Sequence, residues 1–101
     1  MERKDIPNKN LRESLRFAIL SDFDFELIQK VSARTYLSLK RNWSNFFVKG
    51  EELTKERLIR HLEIGDMGSI RMGKMALEEL GKVVGFEIER DKETKNLKRK
   101  G

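Results

Sequence analysis

A chain of 101 residues has room for one domain and a modest core. Charged residues make up 39% and aromatics 8%, yet apolar positions recur at regular spacing, which describes a globular body with charged flanks rather than a disordered chain. The absence of cysteine excludes a disulfide framework and thiolate metal ligation; with no membrane-spanning apolar run and no signal-peptide pattern, a cytoplasmic protein is expected.

The net charge of +5 is unevenly spread. Arg90, Lys92, Lys95, Lys98, Arg99 and Lys100 face only Asp91 and Glu93 in residues 90–101, so this stretch carries +4 and the rest of the chain about +1. Any nonspecific electrostatic grip on nucleic acid therefore leans on the tail.

Residues 1–9 are polar, contain the only proline, Pro7, and read as a flexible lead-in to a helical domain over 10–88. Leu11, Leu15, Ala18 and Ile19 then follow a helical period, with Asn8 or Asn10 as cap, and predict a helix over 10–20 ending at Ser21-Asp22. Its apolar stripe suits packing on the domain or pairing with another chain. Phe23, Phe25, Leu27 and Ile28 partly alternate with carboxylates, a pattern equally suited to a short extended segment or the start of another helix. Asp22, Asp24 and Glu26 lack a glycine-centred loop and read as solvated acids, not as a cation site.

Ser32 is a good N-cap for the next helix, whose apolar face comprises Ala33, Tyr36, Leu37 and Leu39; Arg41-Asn42 and Ser44-Asn45 mark its end. Trp43, Phe46, Phe47 and Val48 form an apolar cluster before Gly50 that reads first as core and second as a stacking surface. Thr54 caps a helix over 55–63 with Leu58, Ile59 and Leu62 inward and Arg57, Arg60 and His61 outward. Gly65, Gly68 and Gly73 mark a turn-rich stretch. The last helix spans about 74–84, with Met75, Leu77, Leu80 and Val83 or Val84 in apolar spacing and Gly85 at its end. Phe86 and Ile88 fold back on the core, and residues 89–101 form a flexible basic tail. The expected fold is all-α, a compact bundle of four to five short helices.

No phosphate-binding Walker loop, nucleophile elbow or histidine-based arrangement occurs, and His61 is the sole histidine, so neither an enzyme nor a cofactor is expected. Two stretches carry more. Ser32-Ala33-Arg34, followed by Leu39-Lys40, and Met72-Gly73-Lys74-Met75-Ala76-Leu77 with Glu79, together resemble the C-terminal domain of the bacterial RNA polymerase alpha subunit, and Val84-Gly85-Phe86 resembles its closing turn. The resemblance covers roughly residues 27–88, with this chain several residues longer around 43–50 or 64–69.

The resemblance implies a helix-hairpin-helix-like module that binds A/T-rich DNA and docks transcription factors or polymerase. Arg34 would enter the minor groove, where a narrow A/T stretch concentrates negative potential. The backbone N–H groups at Gly73 would meet a phosphate at a helix N-terminus, with Lys74 adding a charge-assisted contact. Arg71, Lys40 and Arg41 are candidates for further backbone contacts. Leu37 stands where the family has asparagine, and Met75 and Ala76 replace its second lysine and serine. These replacements define an alternative: a protein-interaction adaptor on the same fold that has lost DNA binding.

Overall fold

The computed structural model describes residues 6–16, 18–46, 51–68 and 70–101. Helix α1 (Lys9–Ser14) starts where Asn8 Oδ1 accepts the Leu11 N–H at 2.9 Å. It stops earlier than the expected 10–20 because the chain tightens: Arg16 N–H bonds Glu13 and Ala18 N–H bonds Leu15, each three residues back. Leu11 and Leu15 enter the core, while Ile19 is 83% exposed. Ile6, expected in a flexible lead-in, is fully buried.

Helix α2 (Asp22–Lys30) settles the open segment as helical through a capping box: Ser21 Oγ accepts the Asp24 N–H at 3.2 Å, and Asp24 Oδ2 accepts the Ser21 N–H at 2.7 Å. Asp24 is fully buried and not a solvated acid. Its second oxygen accepts the Tyr36 hydroxyl at 2.7 Å. Burial first and the Asp24 carboxylate second push the Tyr36 phenol well above its ordinary range, keeping it a neutral donor.

Helix α3 (Ala33–Phe46) runs through the polar residues expected to end it. Asn42 Nδ2 donates to Ser38 O at 2.7 Å and Ser44 Oγ to Lys40 O at 3.2 Å, so both side chains bond back one turn rather than breaking the ladder. Trp43 is buried and donates its indole N–H to Glu51 O at 3.0 Å, as the core reading requires; the Phe46 side chain, Phe47 and Val48 lie outside the described residues.

Helix α4 (Lys55–Ile64) is capped by Thr54 and ends at Gly65, whose φ of 82° is the left-handed turn that glycine adopts without strain. Helix α5 (Lys74–Val84) begins after Gly73 and ends at Gly85, φ 88°. Within α5, a Cβ on Gly81 would lie 2.9 Å from the Phe86 carbonyl oxygen, so glycine there lets the returning chain cross close to the helix.

The C-terminal segment corrects the expected flexible tail. Strands β1 (Ile88–Arg90) and β2 (Leu97–Arg99) pair antiparallel, with Ile88 opposite Arg99 and Arg90 opposite Leu97. Asp91 Oδ1 accepts the N–H groups of Glu93 and Thr94 in the connecting turn. Those bonds, with Lys98 beside them, hold the Asp91 carboxyl down at about 2. Leu97 is fully buried; β2 packs on α4 and β1 on α5. The fold is therefore mostly helical with a small two-stranded sheet, and the domain extends past residue 88.

Candidate nucleic-acid interface

The start of α3 is fixed from two sides. Ser32 Oγ accepts the Thr35 N–H at 3.2 Å, the local cap that the sequence indicated. Glu79, reaching across from α5, accepts the Ser32 N–H at 3.2 Å and the Thr35 hydroxyl at 2.6 Å. A carboxylate from one helix thus satisfies the orphan donors of another and sits at the positive end of its dipole. Further along, Ser38 Oγ donates to Arg71 O at 3.3 Å. Residues 32 and 35 thus meet residue 79 of α5, while residue 38 meets residue 71 in the loop that precedes it, so the first half of α3 lies against both.

Arg34 and Arg41 are exposed on α3, two turns and about 10 Å apart along the axis, on the side away from buried Tyr36 and Leu39. Arg71, Gly73 and Lys74 are exposed where the adjoining loop enters α5. Among the described residues, none of the Arg34, Arg41, Arg71 or Lys74 side chains is engaged in an ion pair or hydrogen bond.

Gly73 is the N-cap of α5 and makes no side-chain capping bond. The first intrahelical bond runs from the Leu77 N–H to Gly73 O, leaving the N–H groups of Lys74, Met75 and Ala76 without an intrahelical acceptor. Its φ of −78° is ordinary, and a Cβ there would meet nothing within 4 Å. The expected tight turn is therefore not what glycine provides at this position; it provides open access to the helix start.

Lys40 departs from the expected set. Its ammonium lies 3.2 Å from Asp24 Oδ2 and 3.2 Å from Ile19 O, with the side chain only 19% exposed, so its charge is neutralised within the fold. Leu37 is half-buried against the core, whereas Met75 is 80% exposed. Ala76 is half-buried on α5. His61 also departs from its outward reading: its Nδ1 lies 2.8 Å from Asp66 and its ring meets Trp43 edge-on at 5.6 Å, with the side chain 12% exposed.

The tail's cations are mostly committed. Lys98 pairs with Asp91 and Glu89, Arg99 with Glu63 and the Phe86 ring, and Lys100 with Glu87. Arg90, which the sequence reading counted only as tail charge, donates to Ile70 O at 2.7 Å, Met72 O at 3.3 Å and Lys95 O at 2.9 Å. No local signal marks it, because its partners lie 18 and 20 residues upstream as well as in the adjacent turn.

No helix among the described residues is long and apolar enough to cross a membrane. Comparison with known proteins returns no matching family model, no matching curated protein and no matching solved structure.

Proposed function

We propose that this chain is a non-catalytic, cytoplasmic DNA-binding module of transcription, similar to the C-terminal domain of the RNA polymerase alpha subunit and using its helix-hairpin-helix-like mode. Arg34 enters the minor groove of an A/T-rich duplex. The free N–H groups after Gly73, with Lys74 and Arg71, hold a backbone phosphate, and Arg41 supports the flank. RNA polymerase or a transcription factor is the protein partner this reading suggests.

The supporting observation is one arrangement. Helix α3, tied to α5 by Glu79 and to the loop before α5 by Ser38, carries exposed, unpaired Arg34 and Arg41, and the α5 start is uncapped and flanked by Arg71 and Lys74. Unpaired guanidinium groups beside free amides bind polyanions without first breaking internal bonds.

A second reading, the protein-interaction adaptor, has its own support. Met75 is 80% exposed, and an open groove beside α5 is floored by Leu77, Gly81, Phe86 and Ile88. Salt separates the two. Binding of a fluorescent A/T-rich duplex should weaken steeply with salt, log K falling by about 0.9 per decade of salt for each neutralised phosphate. A salt-insensitive or absent signal would favour the adaptor.

A further inference from the structure

The last four residues before α5, Ile70 to Gly73, have their carbonyls accounted for from inside the molecule. Ile70 O and Met72 O both accept from the Arg90 guanidinium, Arg71 O accepts from Ser38, and Gly73 O accepts from the Leu77 N–H. Four consecutive acceptors are therefore occupied by the chain's own donors. An approaching phosphate meets the N–H groups of Lys74, Met75 and Ala76 while the repelling carbonyl oxygens are held by other partners. Arg90 does this from β1, on the inner face of the hairpin beside buried Leu97, and the same guanidinium donates to Lys95 O in the hairpin turn. One side chain thus joins the C-terminal hairpin to the entrance of α5.

We infer that Arg90 is a positioning residue for phosphate binding, holding the 70–73 loop so that it offers donors only, and that the C-terminal hairpin is thereby a working part of the DNA interface. The inference rests on the proposed DNA-binding function and deepens it. Arg90 itself touches no phosphate. A guanidinium suits the task because its planar fork reaches several carbonyls at once, which an ammonium on a flexible stem does less well.

Duplex binding by Arg90→Met, Arg90→Lys and Arg99→Met tests it, each measured against salt on A/T-rich and G/C-rich duplexes and alongside a thermal melt. Arg99→Met removes one charge from the same hairpin without touching the loop, so it corrects for net charge. Arg90→Met should lose about one phosphate's worth of salt dependence beyond Arg99→Met, a slope change of about 0.9. Its affinity should fall several-fold more than that of the control, and its A/T over G/C ratio should stay at the wild-type value, because Arg34 sits on α3. Arg90→Lys should recover part of the loss. Equal slopes for Arg90→Met and Arg99→Met below both melting transitions would overturn the inference while leaving DNA binding intact. Loss of slope and A/T ratio together would overturn it too, since that marks general loosening. A wild-type protein that binds neither duplex would remove the functional reading and this inference with it, a result distinct from the other two.

Discussion

With Tyr36, Ser21 and Lys40 all bonded to it, the Asp24 carboxylate joins the start of α2 to the middle of α3 deep in the molecule. Its replacement would leave a buried phenol without its acceptor and a mostly buried ammonium without its counter-charge. Removing one member of such a buried ionic network typically costs about 3–5 kcal/mol. Asp24→Ala should therefore lower the urea midpoint by a large fraction of the total stability of a domain this size, whereas substituting exposed Asp22 should hardly move it. An unchanged midpoint would show that the network contributes little. The sequence did not announce this role: Ser21 read as the end of a helix rather than as an N-cap, and Lys40 lies 16 residues from its partner. The exposed position of Arg34, in contrast, was legible because the residue follows its own cap, Ser32, and so falls on the first turn of α3.

Helices whose ends carry local chemistry were readable, and those held by distant contacts were not. Thr54 and Gly65 bound α4, and Gly73 and Gly85 bound α5, within a residue of the spacing-based expectation. The hairpin escaped notice because its strands are three residues long, each with one apolar side chain, Ile88 or Leu97, and because Arg90 and Arg99, bonded to the body of the domain, read as tail charge. Gly81 makes the same point inside α5. By helix propensity alone, Gly81→Ala should stabilise by about 1 kcal/mol. The added methyl would stand 2.9 Å from the Phe86 carbonyl, forcing the backbone before β1 to move, and overpacking of this kind costs about 1–3 kcal/mol. The clash should win, so Gly81→Ala should melt below the wild type. A higher melting temperature would mean that the hairpin's approach to α5 adapts freely.

At the scale of the whole molecule, the +5 net charge is less informative than where cations remain unpaired. The expectation that the tail supplies the electrostatic grip gives way to a different distribution. Most of its cations are consumed in holding the hairpin to α4, to the loop before α5 and to itself, while Arg34 and Arg41 stand open on α3 and Arg71 and Lys74 at the entrance to α5. A grip built on those four should be local and geometric, with Arg34 contributing preference for a narrow groove and the start of α5 contributing phosphate contact without sequence preference. The ratio of affinities for A/T-rich and G/C-rich duplexes, measured by fluorescence anisotropy at one fixed salt concentration for wild type and Arg34→Ala, tests this most directly. The wild type should prefer the A/T duplex, and Arg34→Ala should bring the ratio to about one while retaining weak, salt-sensitive binding through the α5 start. A wild-type ratio of one, or a preference that survives Arg34→Ala, would contradict minor-groove entry by this arginine.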